Sequence, residues 1–458
     1  MERIPYDEVM FHPHSFGDPD GRLFWWRGKL YRGIKGERVA FFKWLFDNGV
    51  IEKLAAQELL IGSEPTGLAL DGYTMVIRHR SVPFVSYPQE WCAAMFKDAA
   101  RAYLELVEQL VSQGLTLKDT HPWNLLFDGC RPVYVDLTSI RQITDIAHFI
   151  SVEKFRRYYL YPLLLMTHGQ ERIARHLMPD YEGISSADLS LLMAQPTLTV
   201  SAALKDRVKR AVPDACRKRL KRGLESFGLL HSRKKGQQST FDCLPTLRRE
   251  LENIRLRAVN DDWSAVDSIR SSQDASAPAL QSLDGVIARL QPSSVLIIGA
   301  TRRASCRLAT LAQRKVIAFA KDSTQVTRLY YDGRDKNLPL LPLVMDFVDP
   351  TPSRGLSSHL SIAAAERLQC DMVVAFGVVE QLVSERSLRF DQVVDGLAQF
   401  AKRFLIVDFV TPRVDNRKLE TCSWCTAENF VGALSKKFRK ISRSSAHAGG
   451  DGLLVCEN

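Results

Sequence analysis

Five short apolar runs in the second half, separated by helical patterns, constrain the fold of this chain more than any other feature. They are Ser294 to Gly299, Val316 to Phe319, Leu341 to Met345, Met372 to Phe376 and Phe404 to Asp408, with the helix-like stretch Ala304 to Gln313 between the first two. Runs this short, rich in Val, Ile, Leu and Phe and bounded by turn residues, suit strands buried on both faces. Strands alternating with helices predict a doubly wound, mostly parallel sheet. Such a sheet binds ligands beyond the carboxyl ends of its strands, near the switch point after the first one. The residues at those ends are Gly299, Ala320 with Asp322, Asp346, and Gly377 to Glu380.

The first half reads differently. Trp91, Met95, Ala99, Ala102, Leu106 and Leu110 recur at helical spacing between about Pro88 and Gln113, and Gly114 supplies a stop. Then comes Leu117-Lys-Asp119-Thr-His-Pro-Trp-Asn124, followed by Pro132-Val-Tyr-Val-Asp136. Phosphoryl transfer asks for one carboxylate to orient the attacking hydroxyl, and for an amide and a second carboxylate to hold Mg²⁺ on the nucleotide phosphates. Asp119, Asn124 and Asp136 supply those groups in that order, with Asn124 and Asp136 as the metal ligands. Pro122 bends the loop, and Asp128-Gly129 between two apolar stretches predicts a hairpin returning Asp136 toward the other two. Each of the three taken singly has an ordinary structural role, in a loop cap, a turn or a strand end.

Upstream, Arg22 to Trp26 and Lys29 to Ile34 read as strands around Arg27-Gly28, and Tyr73 to Arg78 as a later one, which predicts a small antiparallel lobe. No G-x-G-x-x-G loop precedes them and no Val-Ala-Ile-Lys strand supplies the usual lysine. Lys29, Arg32 and Lys35 are the cations available there, with Glu52 or Glu58 as ion-pair partner; Arg32 and Lys118 are the candidate cofactor-binding cations.

At 458 residues the chain exceeds one ordinary core, and its 45% apolar and 25% charged residues are those of a globular protein. No run approaches the roughly 20 apolar residues of a membrane span, Tyr158 to Met166 being short and broken by Pro162. The N-terminus lacks the apolar core of a signal peptide, so a cytoplasmic location is expected. Nine cysteines without regular spacing suit free thiols, and the one close pair, Cys422 and Cys425, has no second pair to complete a zinc site. The net charge of +10 concentrates in Lys205 to Arg222 and Arg233 to Lys235. Such a section suits peripheral contact with an anionic surface; without interleaved aromatics it does not predict a nucleic-acid partner.

The chain resembles a bacterial family of class I S-adenosylmethionine methyltransferases related to the rhizobial nodulation methyltransferase-like proteins. The resemblance is carried by Leu30 to Gly33, Val82 to Pro88 with Trp91, Leu115 to Asp119, Gly129 to Asp136 with Ser139, Tyr161 to Met166, and Leu341 to Asp346. It implies a two-lobed kinase-like domain over residues 1–200, a basic helical linker over 201–250 and a Rossmann-like methyltransferase domain over 251–458, an α+β region followed by an α/β one. Implied cofactors are ATP with Mg²⁺ for the first and S-adenosylmethionine for the second, the latter held by Gly299, Asp322, Asp346 and Glu380. The implied acceptor is a small molecule or glycan, with a hydroxyl on a glycan, lipid-linked sugar or secondary metabolite as the modified group. Departures gather at the methyl-donor site: Gly299-Ala-Thr-Arg-Arg303 has a single glycine, Ala320 stands where an acidic residue is usual, and Val266, Asp267 and Glu380-Gln381 replace family residues, whereas Trp263 matches. Three readings follow: a fused enzyme with phosphotransfer at the first site, a methyltransferase with a non-catalytic kinase-like region, or a non-catalytic scaffold.

Overall fold

The computed structural model describes residues 2–143, 152–193, 243–256, 277–299, 302–312, 315–409, 424–444 and 453–458. Two compact units divide the chain: 1–95, 125–138 and 258–458 form one, and 96–124 with 139–257 the other. The basic section Lys205 to Arg222 and Arg233 to Lys235, together with Trp263, Val266, Asp267 and Cys422, lies outside the described residues.

The first unit opens with an antiparallel sheet of five strands: β1 (Met10–Phe11), β2 (Gly21–Trp26), β3 (Lys29–Ile34), β4 (Ser63–Pro65) and β5 (Met75–His79), in the spatial order β1-β2-β3-β5-β4. Arg27 and Gly28 both have left-handed φ, 49° and 71°, which is the backbone that matches a two-residue hairpin to the twist of its strands. Alternation then sorts the side chains. Phe24, Trp26, Tyr31 and Val76 bury with Ile4 and Leu70 on one face. Arg32, paired opposite Leu23 and Ile77, takes the other face, as does His79 opposite Leu30. Gly33 is required where it stands, because a Cβ there would meet the Tyr73 ring at 2.5 Å. Helices α1 (Gly36–Asp47) and α2 (Val50–Ala56) follow β3 and bury Val39, Phe42, Leu45, Ile51 and Leu54. The sequence pattern placed β2, β3 and β5 within two residues of their observed ends, and β1 and β4 had no counterpart in it.

The expected hairpin forms as β6 (Leu125–Asp128) and β7 (Arg131–Tyr134), with Asp128 opposite Arg131 and Gly129 at φ 63° in the turn. The segment Val82 to Trp91 is tied to the second half of the same unit. Arg367 pairs with Glu90, both almost wholly buried, and lies 4.3 Å over the Tyr87 ring, while the Tyr87 hydroxyl accepts the Ile362 N–H at 2.8 Å.

That second half is a seven-stranded sheet of β8 (Ser294–Ile298), β9 (Lys315–Ala320), β10 (Leu340–Val344), β11 (Cys370–Ala375), β12 (Ala401–Val407), β13 (Lys440–Arg443) and β14 (Leu454–Glu457), in the order β10-β9-β8-β11-β12-β14-β13. The first five are parallel, and β14 runs antiparallel between β12 and β13. This is the doubly wound order 3-2-1-4-5-6 with one reversed strand inserted before the last. Val295, Ile297, Val316, Leu341, Val373 and Leu405 fill its interior. Helices α3 (Arg302–Ala312), α4 (Ser323–Asp335) and α5 (Val378–Arg386) follow β8, β9 and β11. A mixed α/β chain with a Rossmann-like sheet is therefore established. The closing pair β13 and β14 had no counterpart in the sequence reading.

In the second unit, Leu115–Leu117 and Ile140–Gln142 pair antiparallel after the long helix Ala93–Val111, whose following turn closes at Gly114 with φ 72°. Tyr103, Phe155 and Tyr159 stack in its interior. A helix at Cys243–Asn253 buries Leu244, Leu247 and Leu251 and carries ion pairs from Glu250 to Arg156 and from Glu252 to Arg101, each 2.6 Å. The Arg101 guanidinium holds the Glu252 carboxyl down at about 2.

Candidate functional site

The most concentrated chemistry of the first unit surrounds Arg32. Alternation along β3 turns this side chain to the face opposite the aromatic core, and its side chain is only 4% exposed. A buried guanidinium must be paired, since an uncompensated charge in that setting is costly. Its Nη1 donates to Asp18 at 2.7 Å and to the Thr138 hydroxyl at 2.6 Å, and its Nη2 lies 3.3 Å from Asp136. The Thr138 hydroxyl stands 2.7 Å from one oxygen of Asp18 and 2.7 Å from one of Asp136. Of the sequence candidates, the structure thus brings Arg32 and Asp136 together.

His79 shares the Arg32 face. Its Nδ1 is 2.7 Å from the Ser63 hydroxyl, and its Nε2 is buried without a hydrogen-bond partner. Burial first and the Arg32 charge second push its pKa down to about 3, so the ring is neutral. The same two causes lower the pKa of His12.

In the second unit, Asp119 follows the strand Leu115–Leu117 and its N–H donates to the Ser139 hydroxyl at 3.0 Å, while its carbonyl takes the Tyr103 hydroxyl at 3.5 Å. Lys118 is exposed, its backbone N–H bonded to the Ser139 carbonyl at 2.8 Å. Asn124 closes the short turn Pro122–Asn124 and is half-buried.

The carboxyl ends of the parallel strands hold the remaining candidates. Gly299 ends β8 at φ 90°, a backbone that disfavours a side chain, and a Cβ would stand 3.3 Å from Val378. Its carbonyl accepts the Gln325 amide at 3.1 Å. Asp322 is exposed and caps α4 by accepting the Thr324 N–H at 2.8 Å. The two-residue offset from Ala320 thus delivers a carboxylate that serves the next helix. Asp346 lies past β10 and is held by Lys321 at 3.0 Å, Arg386 at 3.3 Å and the Val348 N–H at 3.1 Å. Burial raises its pKa, but these partners together outweigh it and leave the group below its ordinary value. Glu380 sits half-buried in the first turn of α5. Arg302, in the segment that follows Gly299, is bidentate with Asp332 of α4.

Asp408 lies just past β12, at the end of a run that the sequence pattern marks only as a strand. Both its carboxylate oxygens accept the Gly377 N–H, at 2.9 and 3.1 Å. Burial pushes its pKa up to about 6, with Glu380 adding to the rise and the backbone hydrogen bonds working against it. Its place at the end of the fifth predicted strand, beside the end of the fourth, was the available signal. Asp18, Thr138 and His79 carried no motif at all and became visible only through the pairing of strands.

No protein-family model matches the chain. It is similar to the nodulation protein NoeA of Rhizobium meliloti (strain 1021), 23% identical over 451 residues that cover 94% of this chain and 92% of that one. Among solved structures it is similar to magnesium protoporphyrin IX methyltransferase (ChlM) from Synechocystis PCC 6803 with bound SAM, at 16% identity, 40% of this chain, 80% of that one and a TM-score of 0.28. The N-methyltransferase NodS from Bradyrhizobium japonicum WM9 gives 11% identity, 40% and 96% coverage and a TM-score of 0.27. Scores that low leave the fold to rest on strand order and register alone. The sequence similarity to a nodulation protein reaches both halves of the chain, as the motifs had implied.

Proposed function

We propose that this chain is a methyltransferase-type transferase whose doubly wound sheet takes S-adenosylmethionine at its carboxyl edge and serves a hydroxyl acceptor on a glycan, lipid-linked sugar or secondary metabolite. One observation supports the reading: the order β10-β9-β8-β11-β12 reverses at β8 and its strands are parallel, so Gly299, Asp346, Glu380 and Asp408 all follow carboxyl ends of strands, the edge at which sheets of this order bind nucleosides. Gly299 lets backbone approach the ligand without a Cβ, and Asp322 and Asp346 are the carboxylates within reach of ribose hydroxyls. Acidic residues at that edge also suit a cationic sulfonium. When bound, the donor supplies the methyl group; the chain's own part is to orient it and to exclude water. Equilibrium dialysis with labelled S-adenosylmethionine tests this directly. Saturable binding weakened at least tenfold by Asp346→Ala is expected, and no binding to the intact chain would end the reading.

A second reading is favoured by the Arg32 cluster: ATP-dependent phosphotransfer in the kinase-like region, with Arg32 on a phosphate and Asp136 on Mg²⁺; sequence spacing alone assigns the acceptor-orienting role to Asp119 and further phosphate and metal contacts to Lys118 and Asn124, which belong to the other unit. The buried, unpartnered Nε of Arg32 and Nε2 of His79 suit a polar ligand on that face. Among the described residues no group of three or more His, Cys, Asp or Glu is gathered as a metal site, so Mg²⁺ would arrive with the phosphates. Mg²⁺-dependent ATP binding lost in Asp136→Ala, and turnover but not binding lost in Asp119→Ala, is the expected pattern. Among the described residues no helix is long and apolar enough to cross a membrane.

A further inference from the structure

The Arg32 cluster sets two carboxylates, Asp18 and Asp136, against one guanidinium. Asp136 is held in place by the strand before it, β7, whereas Asp18 arrives from the connection between β1 and β2, at residues 12–20. One oxygen of Asp18 caps its own turn by accepting the Asp20 N–H at 3.0 Å; the other meets Arg32 and Thr138. The Thr138 hydroxyl has a single proton for two carboxylate contacts of 2.7 Å, so it satisfies one of them at a time. Two carboxylates therefore crowd one guanidinium with one shared hydroxyl between them. An incoming phosphate offers Arg32 two oxygens for a bidentate contact and more charge, where Asp18 gives a single oxygen.

We propose that Asp18 is a tethered competitor for the anionic ligand of Arg32. In the free chain its carboxylate holds the face of the guanidinium that a nucleotide phosphate takes, and binding requires residues 12–20 to withdraw it. The inference rests on the nucleotide reading of this site and adds its regulation. A ligand affinity scales with the fraction of molecules in the competent state, so an Asp18-held form outnumbering the open one by about ten to one weakens apparent affinity about tenfold. Singly charged anions fail to displace the carboxylate, and polyphosphates succeed.

Calorimetric titration of the full chain with Mg²⁺-ATP, and separately with inorganic tripolyphosphate, tests the proposal on wild type, Asp18→Asn, Thr138→Val and Asp136→Asn. Asp18→Asn keeps the shape and removes the charge, and is expected to bind about tenfold tighter. Thr138→Val loosens Asp18 without removing its charge, and is expected to bind about threefold tighter, which preserves the test should the first variant fold poorly. Asp136→Asn is expected to weaken Mg²⁺-ATP binding, and this opposite sign separates a competitor from a residue that merely supports the fold. Wild-type binding that is unchanged or weakened by Asp18→Asn overturns the inference while leaving the nucleotide site standing. Binding of neither ligand by wild type or Asp18→Asn overturns both together.

Discussion

Arg32 and Arg386 do the same formal job, holding aspartates beside the end of a strand, in opposite surroundings. Arg32 is 4% exposed and its partners Asp18 and Asp136 about one-fifth exposed, whereas Arg386 is 43% exposed and shares Asp346 with Lys321. The difference teaches where each region keeps its electrostatic energy. In the five-stranded sheet the charges are desolvated, and each depends on the others. At the edge of the doubly wound sheet water screens the pairs, and any one partner is dispensable.

The largest expected effect tests that contrast. Arg32→Ala leaves two carboxylates without their cation and should cost about 3–5 kcal/mol in urea unfolding. Arg386→Ala should cost less than about 1 kcal/mol in the same assay. Equal losses would erase the distinction between the two regions.

Acid titration comes next. The folded pKa of His79 lies near 3, below its ordinary 6.5, so its contribution to stability is complete above pH 6.5 and is lost as pH falls toward 3. Between pH 6.5 and pH 4 that amounts to roughly 3 kcal/mol, and His79→Asn should flatten this part of the profile. An unchanged profile in the variant would place the acid sensitivity elsewhere.

Asp408 has the opposite sign. Its folded pKa of about 6 exceeds the ordinary 3.8, so its favourable share is present below pH 3.8 and lost as pH rises through 6. Asp408→Asn, which retains an oxygen for the Gly377 N–H, should therefore stabilise by about 3 kcal/mol at pH 8 and by almost nothing at pH 3.5. A destabilised variant at pH 8 would show that the charge itself is needed for folding.

The smallest effect concerns Asp322. Loss of its cap in Asp322→Ala should cost about 1 kcal/mol in thermal unfolding. If Asp322 also holds the ribose, S-adenosylmethionine binding drops with it; if the cap is its whole role, affinity stays as it was.

Much of the scaffold was legible because it is local. The runs at Ser294 to Gly299 and Met372 to Phe376 can satisfy their composition only as buried strands, and Arg27-Gly28 and Asp128-Gly129 announce their turns. The closing pair was less legible. Lys440–Arg443 is an edge strand with exposed charged ends, and its chain position gives no hint that Leu454–Glu457 inserts between it and β12. In the candidate site Asp136 follows from motif spacing and Arg32 from being a cation on a predicted strand, but Thr138 lies 106 residues from Arg32 and 120 from Asp18. No periodicity reaches across such separations.

Composition and short-range pattern alone determined that a parallel, doubly wound sheet would follow a smaller antiparallel one, because alternation and turn chemistry act over a few residues. Which charges meet was decided only when strands paired. Register chose the face that carries Arg32, burial made its neutralisation compulsory, and the chain met that demand with two carboxylates from distant segments. The same late decision turned Asp322 toward a helix terminus and Asp408 into a buried acid, since desolvation and hydrogen-bond geometry exist only once the backbone has closed around them.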